Sequence, residues 1–320
     1  MRRAALLALA FVAFEAAAQA YPSKSVRMVN PFPPGGPLDL LGRVLSERLT
    51  AALGKPVLVE NKPGAAGNVG AAEVARAPAD GHTVLLTLFS IVTSNPHLYE
   101  RMPFDPLKDF APVTALATSD SVLIAHPSVP ASSAEELIAY AKANPGVNYS
   151  SGGTASPGHL TAESFARKIG IRLTHVPYKG NAEAIRGVLS GDTQIMFTPT
   201  TGALAHVKSG KLKALAVYLT EKVDELPGVA SIGAQGVSGF DPRSLPFWYG
   251  LLVPARTPRE AVARLHFETV RALKEPETEK RLRAARIFVI ANTPEEFAVM
   301  MREGHAAWGR VIRETGVKGE

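Results

Sequence analysis

The stretch VRMVNPFPPGGPLDLLGRVLSERLTAAL, residues 26–53, narrows the folds open to this chain more than any other. Val26, Met28 and Val29 form an apolar run of strand length, and Pro31, Pro33, Pro34 and the pair Gly35-Gly36 then stop it. Leu38, Leu41, Leu45, Leu49 and Leu53 recur at helical spacing, so the next segment is an amphipathic helix. Pro37 suits the first helical position, Asp39 the electropositive first turn and Gly54 the C-terminal cap. The start of such a helix leaves N–H groups without a partner inside it. Proline stiffens the loop and glycine leaves the backbone approachable, which suits a small anion, a carboxylate or phosphate. The same residues also make an ordinary strand-to-helix turn, and this stretch alone does not separate the two.

The rest of the chain repeats the alternation. Residues 56–60 read as a strand, 71–77 as a helix and 83–88 as a strand, followed by a polar loop with Ser90, Thr93 and Ser94. This order predicts an α/β fold with a mostly parallel sheet covered on both faces. A second set begins around Ser121, with strands at 122–128, 147–151, 173–176, 193–197 and 212–218. Helices end near Ala143 and cover 158–168, 181–190 and 202–209; Ser132-Ser133 with Glu135-Glu136 offers capping boxes for the first. Leu245 to Pro254 reads as a long apolar strand. Helices then cover 258–274, 277–286 and 294–314, with a short strand at 287–290, and Thr293 with Glu296 makes a further capping box. The chain thus predicts two lobes joined by crossings near Ser121 and Tyr249. Residues 21–121 and 252–320 form lobe 1 and 122–251 lobe 2, with a cleft where the strand-end loops converge.

Residues 1–20 predict a secretory signal peptide. Arg2 and Arg3 form the basic region, Ala4 to Phe14 the apolar core and Ala18-Gln19-Ala20 the cleavage site. Removing it leaves 300 of the 320 residues and, with Arg2, Arg3 and Glu15 gone, lowers the formal charge from +6 to +5. That length suffices for two α/β domains. Lys and Arg are scattered without a polybasic run, which argues against nucleic acid; a mildly cationic surface favours collecting anionic solutes. Cysteine is absent, so no disulfide scaffold or thiol chemistry is possible, and without thiolates or a His-x-x-x-His pair a metal site is not expected. No cofactor is expected either.

A second loop, Ser151-Gly-Gly-Thr-Ala-Ser156-Pro-Gly-His159, also lies between a strand and a helix. Two such loops, one per lobe, fit a dicarboxylate held at both ends. Thr154-Ala-Ser156-Pro-Gly158 resembles a hydrolase elbow, but the first glycine is missing and Pro157 stands where an oxyanion N–H is needed. Gly64-Ala-Ala-Gly67-Asn-Val-Gly70 has GxxGxxG spacing, not the dinucleotide GxGxxG. Tyr178 and Lys179 end a strand and either can line a cleft, while Phe247, Trp248 and Tyr249 read as core or hinge packing.

Taken in order, PFPPGGPLD (31–39), VENKPGAAGNVGA (59–71), ADGHTVLL (79–86), NPHLY (95–99), FDPLKDF (104–110), His159-Leu160, HVPYKG (175–180), GKLKALAV (210–217) and WYGLLVPA (248–255) resemble the Bug family. These are the TctC-like extracytoplasmic receptors of tripartite tricarboxylate transporters, and the likeness covers nearly the whole mature chain. The resemblance implies a type II periplasmic binding fold with a two-strand hinge, a non-enzymatic monomer that captures a small organic carboxylate, a di- or tricarboxylate or an aromatic acid, by lobe closure, and TctA/TctB-like membrane partners. It implies that the loop of Phe32, Pro34, Gly35 and Gly36, with Asp39, meets one carboxylate through backbone groups and water. It further implies that Gly153, Thr154, Ala155 and Ser156 close from the other lobe. Ser90, Thr93, His159, Tyr178 and Thr198 complete the expected contacts. A secreted hydrolase using Ser156 and His159, or a ligand-presenting sensor subunit, remain as alternatives. Two departures stand out: family members often carry Asp where this chain has Thr198, and Gly where it has Ala155. Losing the acid removes a partner for an ammonium group. Calorimetric titration should therefore show aspartate and glutamate binding more weakly than succinate, citrate and aromatic diacids; tighter binding of either amino acid contradicts the reading.

Overall fold

The computed structural model describes residues 21–218, 223–237, 245 and 247–318, so the expected signal peptide lies outside the described residues. β1 (Val26–Asn30) leads through the proline-glycine loop into α1 (Pro37–Leu53), then β2 (Val57–Asn61), α2 (Asn68–Ala75) and β3 (Thr83–Leu88). Two short helices, α3 (Phe89–Thr93) and α4 (Asn95–Leu98), precede β4 (Phe110–Ser119). β5 (Ser121–Ala125), α5 (Ala134–Ala143), β6 (Val147–Ser151), α6 (Pro157–Ile169) and β7 (Leu173–Pro177) follow. Next come α7 (Asn181–Ser190), β8 (Ile195–Pro199), α8 (Thr200–Lys208) and β9 (Lys213–Tyr218). β10 (Tyr249–Pro254), α9 (Arg259–Leu273), α10 (Pro276–Ala284), β11 (Ile287–Val289) and α11 (Pro294–Thr315) end the described chain.

The strands form a six-stranded sheet in the order β11-β4-β10-β3-β1-β2 and a five-stranded sheet in the order β7-β6-β8-β5-β9. Both are mixed rather than mostly parallel. β1 runs parallel to β2 and β3, and β6 parallel to β7 and β8. β10 is antiparallel to β3 and β4, and β5 to β8 and β9. The reversed strands flank the passages between sheets: β4 runs into β5 through Asp120 alone, and β10 follows the return from β9.

Local chemistry accounts for the elements around the site. The α1 stripe Leu38, Leu41, Leu45 and Leu49 is buried against the first sheet. Gly42 lets helix and sheet approach, since a Cβ there would lie 2.6 Å from Leu86 Cδ2. Gly54 closes α1 in the left-handed region at φ +67°. Thr293 and Glu296 form the expected capping box of α11, and Ser133 caps α5 by accepting the Glu136 N–H. α11 packs on α3, β4 and α6, so it touches elements of both halves.

Two segments differ from expectation. The expected polar loop after β3 is helical, and its hydroxyls are satisfied within the helix: Thr93 Oγ1 donates to Phe89 O at 3.0 Å and Ser94 Oγ to Ser90 O at 3.3 Å. β4 was not anticipated. Its Pro112 masks the pattern and sits at a register shift against β10, where the missing N–H is tolerated.

At the first passage, Asp120 is 1% exposed and accepts from Arg286, which also donates to Glu225 in the segment after β9. Arg286 itself lies at φ +60°, between α10 and β11. The triad therefore ties the first sheet, the passage and the second half together. Arg286→Met should destabilise the protein by about 3–5 kcal/mol, since it strands a buried carboxylate, and adding Asp120→Asn should restore a large part of the loss. Urea unfolding measures both; a single variant within 1 kcal/mol of the parent, on the order of a surface pair, contradicts this.

Candidate functional site

A cavity of about 530 Å³ lies between the two sheets. The C-terminal ends of parallel strands and the helices that start there build much of its wall, as expected where strand-end loops meet. From the first half come Phe32, Pro33, Pro34, Gly36 and the first turn of α1; from the second come the starts of α6, α7 and α8. Ser119 and Ser121 flank the first passage and Phe247 and Tyr249 the return. Among the described residues, no lysine, arginine or histidine lines the cavity.

The first loop is organised by its own acid. Asp39 Oδ2 accepts the Gly35 N–H at 3.1 Å and Arg43 Nε at 2.9 Å, while Asn61 Nδ2 donates to Asp39 Oδ1 and to Phe32 O, both at 3.0 Å. Burial pushes Asp39 up, but Arg43, the Gly35 N–H and Asn61 outweigh it and hold the carboxyl at about 2. Asp39 thus lines the cavity with its charge already engaged, and it positions the loop. Gly35, whose N–H Asp39 takes, does not line the cavity; Gly36 does, and a Cβ there would meet nothing within 4 Å. No side chain caps α1, leaving the N–H groups of Leu38 and Asp39 for water or a ligand. α7 and α8 also start on the cavity without a side-chain cap.

The second loop is placed differently from the first. Gly153, Thr154, Ala155 and Ser156 stand outside the cavity wall, which instead takes in Pro157, Gly158 and Thr161 of α6. Its N–H groups are largely used internally: Gly153 donates to Ser151 Oγ, Ala155 to His159 Nδ1 and Ser156 to Gly153 O. Ser156 Oγ caps α6 by accepting the His159 N–H at 3.4 Å. The His159 ring stacks on His175 with centroids 3.8 Å apart, behind the loop, and His175 Nε2 pairs with Ser151 Oγ at 2.7 Å. Among the described residues, no hydrogen bond joins the Ser156 hydroxyl to an imidazole nitrogen.

Of the other expected contacts, Thr198 lines the cavity, is 1% exposed, and its Oγ1 has no hydrogen-bond partner. Ser90 and Thr93 lie on α3 outside the wall, and Tyr178 turns onto α7, where Gly187 makes room for its hydroxyl. The sequence reading missed most of the aromatic wall. Phe89, Phe197, Tyr218, Phe247, Tyr249 and Trp308 all line the cavity. Phe247 and Tyr249 line the cavity rather than serving only as packing, while Trp248 between them is fully buried. Burial lifts Tyr249 to about 12, with Ser119 opposing, so its hydroxyl stays protonated.

This arrangement, two α/β halves around a cavity that offers main-chain N–H groups and aromatic faces, is that of a solute-binding protein. The profile of the family described as "Tripartite tricarboxylate transporter family receptor" matches residues 41–317. BugT of Bordetella pertussis is 30% identical over 314 residues, covering 98% of this chain and 95% of the relative. The solved structure of periplasmic binding protein BugD is similar at 30% identity and TM-score 0.76, covering 94% of this chain and all of that one. R. palustris Rpa4515 with adipate is similar at 28% identity and TM-score 0.80, again covering 94% and 100%. The chain belongs to the tripartite tricarboxylate transporter receptor family.

The stacked histidines give a pH signature. Burial, and secondarily the His175 charge, pushes His159 down from 6.5 to about 4, and burial also lowers His175. The unfolded chain therefore binds protons more readily, so this contribution to stability is complete above about pH 6.5 and is lost as pH falls toward about 4. Urea midpoints should fall across that window, and His159→Gln should flatten the fall; an unchanged slope in the variant contradicts the assignment.

Proposed function

We propose that this chain is an extracytoplasmic receptor that captures a small organic carboxylate by lobe closure and delivers it, unconverted, to a tripartite transporter with TctA/TctB-like membrane subunits. In this reading residues 1–20 direct export, residues 21–121 and 252–320 form one lobe and 122–251 the other, and the receptor works as a monomer in the periplasm. The observation that carries it is the pairing of uncapped helix starts with a cavity wall that, among the described residues, offers no basic side chain. An anion in such a place is held by N–H groups and helix dipoles, which strengthen as water leaves. Adipate in the related R. palustris protein supports a carboxylate guest. The Ser156 hydroxyl serves as a helix cap, which supports carriage over catalysis.

A thermal-shift screen of carboxylates tests the reading. A guest at a hundred times its Kd should stabilise the protein by about 2.7 kcal/mol and be recovered unchanged. Gly36→Val should abolish that shift while the empty protein melts as before, since the added side chain enters open space at an unstrained backbone. Turnover of the guest, or a full shift in Gly36→Val, contradicts it.

A further inference from the structure

Resting on the receptor reading, the make-up of the cavity wall points to one class of guest: we infer that it is an aromatic carboxylic acid whose ring carries no further charge.

The first observation is a continuous aromatic wall. Tyr249, Phe247, Phe89 and Trp308 follow one another with ring centroids 5.4, 4.9 and 5.5 Å apart. Phe197 and Tyr218, 5.4 Å apart, add a second group from the other sheet. Phe32 and Phe247 are the lining rings that keep partial exposure, so they are the faces a guest meets. A flat ring fills such a space at small entropic cost and gains offset or edge contacts that a flexible chain does not.

The second observation is charge. Among the described residues the wall holds one acid and no base, and that acid, Asp39, is already engaged by Arg43, Asn61 and the Gly35 N–H. Arg286 stands between the lining residues Ala285 and Ile287, but Asp120 and Glu225 take its guanidinium. The three uncapped helix starts on the wall each offer a charge on the order of half a proton, which together balances about one carboxylate and falls short of the three of a tricarboxylate. Among the described residues a tricarboxylate would find no side-chain counter-charge for its further negative charges, and the ammonium group of an amino acid no free acid to meet it.

The third observation is Thr198. Its hydroxyl is buried and unpartnered on the wall, at the point where β8 gives way to α8. A buried polar atom without a partner marks a place that a guest's oxygen completes.

Isothermal titration of the mature chain, stripped of bound solute by unfolding and refolding, tests this with benzoate, 4-hydroxybenzoate, adipate, malate, citrate and glutamate as probes. At least one aromatic probe should bind about tenfold or more tighter than every other probe. Phe32→Leu should weaken that binding about fivefold or more with an unchanged melting temperature. Adipate, malate, citrate or glutamate matching the better aromatic probe overturns the aromatic assignment and leaves the receptor reading standing. Full aromatic affinity in Phe32→Leu overturns the stacking argument, and binding of none of the six overturns both readings.

Discussion

An N–H group in the first turn of a helix can be satisfied only by something outside that helix. In this protein α9 and α10 also begin without a side-chain cap, but at exposed residues where water serves. α1, α7 and α8 begin on the wall of the aromatic cavity, where the carboxylate of the proposed guest would take the place of water. Everything else in the architecture brings these starts to one place. Parallel strands β1, β6 and β8 end there, and Asp39 with Asn61 fixes the loop so that Gly36 is left facing the gap.

The passages between the sheets are as much a part of the site as the loops. Ser119 and Ser121 lie on either side of Asp120, and Phe247 and Tyr249 lead the chain back. Residues that set the distance between the halves therefore also line the cavity. The Asp120, Arg286 and Glu225 group adds a charge tie across the same boundary, held by an arginine in a backbone region that non-glycine residues seldom occupy.

The β–α units and the first loop were legible because their signals are local. Leucine spacing in α1, Pro37, Gly54 and the Thr293 capping box each act within one or two turns. The sheet directions were not, since an antiparallel β10 depends on where a distant segment returns. β4 hid behind Pro112, and α3 behind hydroxyls whose bonds to their own backbone look like loop chemistry in a sequence. Of the expected contacts, Phe32, Pro34, Gly36, Asp39 and Thr198 reach the cavity, while Gly35, Ser90, Thr93, Gly153, Thr154, Ala155, Ser156, His159 and Tyr178 fall outside its wall. The second loop reads as anion-ready because glycine and hydroxyls favour that, yet the N–H groups of Gly153, Ala155 and Ser156 are spent on Ser151, His159 and Gly153 O. The aromatic wall assembles rings from residues 32 to 308 and has no sequence period at all.

The central claim is that main-chain amides at the mouth of α1, rather than basic side chains, hold an organic acid between the halves. A crystal structure of the protein carrying its natural guest tests it most directly. The account predicts a carboxylate oxygen about 2.7–3.2 Å from the N–H of Gly36, Leu38 or Asp39, with the body of the guest against Phe247. A guest seated away from that helix start, or one whose carboxylate pairs with an arginine or lysine, contradicts it.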